Sequence, residues 1–450
     1  MSDELNTQEL IKRPPWYKSV GPALIIACVV FGPGSLLISS KVGATYGYEL
    51  LWLLIITGVL MATFMSMAAR IGVVGQATPC TLLSRIINRP VAAIVGINLC
   101  LICTAFQFSN NLAVAAAADT LGIAALFGDP AEMSEHMHNQ INTGVLLAFN
   151  AIIIALTFAL GQIYRNLERI MKVMVAVILI SFLVNLFVAG PHIVDILGGL
   201  IPGLPEEVSL GLPKRTAAGV YDPMVLVASL LGTTFSVAGA FFQGNLVREK
   251  GWTLKDYYYG IGDSIGGVAV LTGVSAIIMI TSASVLYRNL EVDPSELSDI
   301  SVLAIQLRPL LGPVTHLMFC IGLLAVAMNP FVINAMIGGG ILADGIGKPA
   351  RLSDRWPRIF TVLVLLVGML VAVIVMNTPV KKVDAIVFGQ ALTVIGNPLM
   401  AAAILFLANH KKTMGDKRNT LALNILGVIG FLLVLVMAIR LLIILFLRLT

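Results

Sequence analysis

Val29-Val30-Phe31-Gly32-Pro33-Gly34-Ser35 lies in the middle of an apolar segment, residues 19–47, that is long enough to cross a membrane. Pro33 has no backbone N–H, and Gly32 and Gly34 have no side chains. A helix running in from Ser19 is therefore predicted to break here and restart near Leu36. Lipid offers no hydrogen bonds to freed backbone groups, so such a break is tolerated only where it packs in protein or lines a polar cavity. It is either a binding site or a plain proline kink, and this stretch alone does not choose between them.

Composition supports the membrane reading. The 450 residues are 58% hydrophobic and 12% charged, with a mean hydropathy of +0.94, whereas a soluble domain is roughly 25% charged. Residues 1–18 are polar (Asp3, Glu4, Lys12, Arg13, Lys18) and are not followed by a cleavage site, so no signal peptide is expected. The five cysteines, Cys28, Cys80, Cys100, Cys103 and Cys320, lie mostly in apolar segments and are odd in number. They read as buried thiols, and the Cys100–Cys103 pair has no nearby histidines to make a metal site.

Apolar runs of about 20 residues fall near 49–74, 92–121, 143–161, 168–189, 222–247, 261–287, 309–343, 357–377, 383–408 and 421–447, giving eleven spans with the first. If the N-terminus is cytoplasmic, 20 of the 29 lysines and arginines fall on the cytoplasmic side. Acidic residues collect on the other face, with Asp129, Glu132 and Glu135 in one loop and Glu291, Asp293, Glu296 and Asp299 in another. The expected organisation is a cytoplasmic segment 1–18, a first helical repeat 19–189, an extracellular loop 190–221, a second repeat 222–408, and a loop with a last helix, 409–450. The C-terminus is then extracellular and the membrane is the plasma membrane. The net charge of +5 follows from the same asymmetry and implies no nucleic-acid partner.

The sixth span reads Leu231-Gly232-Thr233-Thr234-Phe235-Ser236-Val237-Ala238-Gly239-Ala240 and is again rich in small residues at its middle. Two interrupted spans, each opening a five-helix half, mark inverted-repeat transporters with a site at the membrane midplane. The chain resembles the Nramp family of divalent-metal transporters, whose first helix carries an Asp-Pro-Gly-Asn break and whose sixth carries Met-Pro-His. The similarity rests on Gly32-Pro33-Gly34-Ser35 and the run from Lys41 to Trp52. It extends to Tyr164-Arg165-Asn166-Leu167-Glu168, Asp263-Ser264, and Lys411-Lys412-Thr413-Met414-Gly415 through Asn419. The resemblance implies an all-α polytopic protein of LeuT-like type, with about eleven transmembrane helices in two inverted five-helix repeats and broken helices 1 and 6. With that resemblance, the break at Gly32 reads as a site.

The departures from the family pattern bear on the cargo. Gly32 stands where the family has its metal-binding Asp, Ser35 where it has Asn, and Ser236-Val237-Ala238 where it has Met-Pro-His. None of the usual metal ligands is present. Dehydrated Mn²⁺ or Fe²⁺ would have to exchange its water for carboxylate, imidazole or thioether contacts. The replacements are smaller and neutral, so a widened, uncharged site is expected, suited to a cation that keeps its water, as Mg²⁺ tends to, or to a small organic or neutral polar solute. Span three reads Phe106-Gln107-Phe108-Ser109-Asn110-Asn111 and Gln243 occupies the family's second histidine position. Neutral amides do not relay a titrating proton, so little or no proton coupling is expected.

The candidate substrate-binding residues are Gly32, Ser35, Asn110, Ser236, Val237, Ala238, Gln243 and Gln390. Asn111, Asn329 and Asn397 are also polar residues in apolar spans, where interhelical hydrogen bonding is the simpler reading. Asp263 reads as a structural acceptor. Lys41 is expected near the extracellular vestibule, where its charge would oppose cation entry. The favoured reading is an alternating-access carrier of a hydrated divalent cation, functional as a monomer in the bilayer. The alternatives are an organic-solute carrier or a receptor- or channel-like protein on the same scaffold. No cofactor is expected, and no nucleophile–base pair suggests an enzyme.

Overall fold

The computed structural model describes residues 31–128, 133–158, 176–177, 179–216, 219–289, 296–297 and 299–449. Residues 1–18, the first half of span one, Cys28 and the Tyr164–Glu168 motif lie outside them. The principal helices are α1 (Pro33–Tyr46), α2 (Leu51–Val74), α3 (Pro79–Ile86), α4 (Arg89–Thr120) and α5 (Glu135–Phe158), followed by α6 (Leu179–Ala189). A short antiparallel hairpin follows, β1 (Lys214–Thr216) and β2 (Gly219–Tyr221), then α7 (Val225–Thr234), α8 (Val237–Glu249), α9 (Leu254–Leu286), α10 (Thr315–Ile346), α11 (Arg355–Met376), α12 (Lys382–Asn409) and α13 (Leu421–Leu449). Among the described residues, eight helical stretches are long and apolar enough to cross a membrane. They coincide with spans two, three and six to eleven; α1, α5 and α6 cover parts of spans one, four and five.

Helix α1 starts at Pro33, three residues ahead of the expected Leu36. Proline is tolerated at the first helical position because its missing N–H would have had no partner there. Gly32 caps it in extended conformation, and the first helical bond runs from the Leu36 N–H to the Gly32 carbonyl at 3.2 Å. The second break falls at Phe235 and Ser236, between α7 and α8. Val237 and Ala238, expected within the interruption, instead form the first turn of α8 and are buried. The Ser236 hydroxyl, accepting from the Gly239 N–H at 3.2 Å, caps that turn and explains why helix resumes there without proline.

Glycines let these helices approach at backbone distance, the usual device inside membranes. A Cβ on Gly43 of α1 would stand 2.3 Å from the Met279 carbonyl oxygen of α9, and one on Gly72 of α2 would stand 2.3 Å from the Gly244 oxygen of α8. Helices α4, α10, α11 and α12 form the opposing group, with α13 packed on α12. Between these groups α1 packs against α9 and α7 against α12.

The segment between α6 and α7 is pinned to the bundle. The Trp52 indole donates to the Gly203 carbonyl at 2.8 Å, and Arg440 of α13 donates to the carbonyls of Leu210 (3.1 Å) and Gly211 (2.6 Å) and to the Asp222 carboxylate. Arg440 and Asp222 are both buried. Arg440→Met should therefore strand a buried carboxylate and lower stability by about 3–5 kcal/mol, whereas removing both charges should cost much less. Thermal unfolding of the two variants in detergent measures the difference.

Candidate functional site

The two breaks meet side chains from α4, α10 and α12. A Cβ on Gly32 would stand 3.3 Å from Cγ of Pro330 in α10 and 4.0 Å from the Asn110 amide oxygen of α4. One on Gly34 would fall 2.2 Å from Gln390 Nε2, so the Gln390 side chain of α12 packs directly against the Gly34 backbone. The same helix reaches the second break, where Asn397 Nδ2 donates to the Phe235 carbonyl at 3.4 Å. A Cβ on Gly232 would meet the Gln390 carbonyl oxygen at 2.3 Å. Gln390 and Asn397 thus join the two breaks through one face of α12.

Asn110 is held by a relay. Its Nδ2 donates to Gln107 Oε1 at 3.1 Å, and Gln107 Nε2 donates to the Phe331 carbonyl at 2.7 Å, beside the proline that interrupts α10. With its N–H groups so committed, Asn110 keeps its own amide oxygen toward Gly32. Gln390 Oε1 and Asn397 Oδ1 are buried acceptors with no protein donor, and buried amide oxygens normally have one. The surroundings of the breaks are therefore rich in neutral oxygen atoms, the ligand class of hard cations.

Of the expected site residues, Gly32, Ser35, Asn110 and Gln390 gather at the first break, where Gly32, having no side chain, makes no side-chain cap to α1. Ser35 is buried in the first turn of α1. Ser236 sits at the second break, spent as a helix cap. Val237 and Ala238 belong to the apolar core, and Gln243 is buried further along α8, about 10 Å from Ser236 by helical rise. Asn397 and Gln107 belong to this constellation, although the sequence pointed to a packing role for Asn397 and to no binding role for Gln107. The signal was present in the Gln390–Asn397 spacing, two helical turns that place both amides on one face.

Each end of the bundle carries its own polar cluster. At one end a cavity of about 510 Å³ is bordered by Thr78, Thr81, Asn245 and Asp344. The Asp344 carboxylate accepts from Thr78 (2.8 Å), Thr81 (2.9 Å) and Asn245 (3.4 Å), which ties α3, α8 and α10 together. Burial, and then the neighbouring Asp344, push the Cys80 thiol of α3 well above its ordinary range, so it stays neutral. At the other end a cavity of about 550 Å³ is bordered by Asp119, His138 and Lys382. Asp119 accepts from His138 (2.9 Å), Asn142 (2.5 Å) and Lys382.

Lys41 does not stand as the lone vestibule charge expected of it. Its ammonium pairs with Asp384 at 2.5 Å, so the first turn of α12 neutralises it. The positive charge therefore gives no argument against a cation. Among the described residues no three His, Cys, Asp or Glu side chains cluster to hold a metal, and Cys80, Cys100, Cys103 and Cys320 are buried and unpaired with one another.

The same architecture occurs in solved structures. The Eremococcus coleocola manganese transporter, in complex with an aromatic bis-isothiourea compound, superposes with a TM-score of 0.69 at 20% identity, covering 98% of this chain and 90% of that one. MHP1, a nucleobase-cation-symport-1 family transporter in a closed conformation, gives 0.52 at 14% identity over 94% and 92%. In sequence the chain is 23% identical over 424 residues to the divalent metal cation transporter MntH of Staphylococcus saprophyticus, covering 91% and 88% of the two chains. It is 24% identical over 427 residues to that of Chromohalobacter salexigens, covering 93% and 89%. The model of the natural resistance-associated macrophage protein-like family matches residues 23–444, and the chain belongs to the Nramp family.

Proposed function

We propose that the protein is an alternating-access carrier of a divalent cation that keeps part of its water, Mg²⁺ above all, with little or no coupling to protons. Kinship supports the class: the relatives cited above are named divalent metal cation transporters. The observation that carries the finer reading is the donor set at the breaks. Asn110, Gln390, Asn397 and unwound backbone offer only neutral oxygen, and neutral oxygen holds Mg²⁺ through its water shell while giving Mn²⁺ no nitrogen or sulfur.

Alternating access is supported by the two cavities at opposite ends of the bundle. At one end, Lys41–Asp384 and Asp119–Lys382 tie the first turn of α12 to α1 and α4, and they would have to part for that side to open. The positive-inside distribution supports a cytoplasmic N-terminus, which makes this the extracellular end, in the plasma membrane. A monomer suffices, because both breaks come from one chain.

Reconstituted vesicles test the reading. Mg²⁺ uptake is expected, with weak competition by Mn²⁺ and no substrate-driven acidification of the lumen. Submillimolar Mn²⁺ uptake untouched by excess Mg²⁺ would overturn the choice of cation, and acidification tracking uptake would overturn the uncoupled mechanism. Calorimetry with small amines and amides, which should give no heat, checks against an organic cargo.

A further inference from the structure

A further cavity, of about 980 Å³, lies between α4, α11, α12, the end of α13 and the β1–β2 hairpin. Its walls are apolar, with Leu101, Phe108, Val371 and Phe388 among them. Leu101 is 63% exposed, which a side chain on a membrane-spanning helix accepts only toward lipid. The mouth is cationic. Arg215 of β1 and Arg448 in the last turn of α13 both border it.

These two arginines are brought together by the fold. Arg215 donates to the Leu447 carbonyl at 2.7 Å, which draws the hairpin onto the end of α13. The Arg448 guanidinium stands 4.2 Å over the Phe388 ring, a contact that leaves its N–H edge available. Among the described residues, the one carboxylate bordering the cavity, Asp384, is already bonded to Lys41. The mouth therefore holds two positive charges at a helix end, the depth of lipid phosphates, above an apolar groove. Two unneutralised guanidinium groups at a helix end attract an anionic headgroup by charge, and planar guanidinium groups match phosphate oxygens two at a time.

We propose that this groove is a binding site for one anionic phospholipid, its phosphate between Arg215 and Arg448 and its acyl chains along α4, α11 and α12. Under the orientation proposed above this is a lipid of the outer leaflet. The site backs onto the breaks. Phe108 and Phe388 line the groove, while Asn110 and Gln390, two residues further along the same helices, face the first break. A Cβ on Gly389 would stand 2.4 Å from Ser109 Oγ, so α4 and α12 are in close contact there. A lipid in the groove thus braces the helix pair that carries the site.

The test uses the purified full-length chain in nanodiscs of phosphatidylcholine, with and without phosphatidylglycerol. Phosphatidylglycerol should raise the unfolding temperature by several degrees, and native mass spectrometry should find one molecule retained. Arg215→Gln with Arg448→Gln should lose the retained lipid and the phosphatidylglycerol shift, each protein's shift being read against its own unfolding temperature in phosphatidylcholine alone, which the lost Arg215–Leu447 and Arg448–Phe388 contacts lower in the variant. Ala105→Trp, which fills the groove without changing charge, should also lose the retained lipid; if it misfolds, the glutamine pair decides. Equal shifts in wild type and variants would overturn the proposal. So would an equal shift from soluble glycerol phosphate, which would mean a phosphate site without a lipid.

Discussion

Under the reading proposed above, Gly32→Asp is expected to create tight transition-metal binding. The Gly32 backbone, with φ of −109°, accepts any L residue. Its Cβ would find Pro330 Cγ at 3.3 Å and the Asn110 amide oxygen at 4.0 Å, so a shift of a few tenths of an ångström admits it. The new carboxylate would join Asn110 and Gln390 at the break and supply the charge that a dehydrated cation requires. Mn²⁺ affinity measured by calorimetry should rise roughly ten- to a hundredfold, about 1.4 to 2.8 kcal/mol. Gly32→Ala, with the same Cβ and no charge, should give no gain.

A second readout separates binding from general stabilisation. Without metal, the new carboxylate is buried with neutral partners only, which should lower the unfolding temperature of the variant. Added Mn²⁺ should raise it again, and by more than in wild type, because a ligand stabilises the state it binds. No difference between the Asp and Ala variants in either measurement would mean that a side chain at residue 32 does not face the cation, and the location of the site would have to be reconsidered.

The start of α1 at Pro33 was legible because proline and glycine act locally: their backbone chemistry sets a helix boundary wherever the rest of the chain goes, while the helix expected ahead of it lies outside the described residues. The second break was harder to place. It has no proline, and its start at Phe235 depends on packing against α12, so the family pattern set it one residue late and counted Val237 and Ala238 as site residues. The β1–β2 hairpin was not anticipated either, since strands of three residues have too little alternation to register. Lys41 looked like a free charge because its partner, Asp384, lies 343 residues away. The same limit hid the seating of Gln390 on Gly34. Residue types and periodicity revealed which elements form and which of them break. Which amide reaches which carbonyl was decided by tertiary contacts between distant segments, and these leave no local mark.

Those contacts make Gly232→Ala the substitution that tests the face of α12 most directly. Its Cβ would lie 2.3 Å from the Gln390 carbonyl oxygen and 2.8 Å from Thr393 Oγ1. The first of these is backbone in the middle of α12, which cannot rotate away, so α7 and α12 must separate. Overpacking in a core costs about 1–3 kcal/mol, and a clash with backbone belongs at the upper end. Gly273→Ala in α9, with nothing within 4 Å of the new Cβ, should instead stabilise by about 0.5–1 kcal/mol. Gly43→Ala distinguishes fold from function. It forces α1 off the Met279 carbonyl by a similar clash, yet it lies far along α1 from the break. If α12 carries the cation site, Gly232→Ala should weaken Mg²⁺ binding in the folded fraction as well as lowering the unfolding temperature, because moving α12 draws Gln390 off Gly34 and Asn397 off Phe235. Gly43→Ala should lower only the unfolding temperature. Equal losses of affinity in the two variants would mean that the packing of the whole bundle, and not the face of α12, sets the strength of binding.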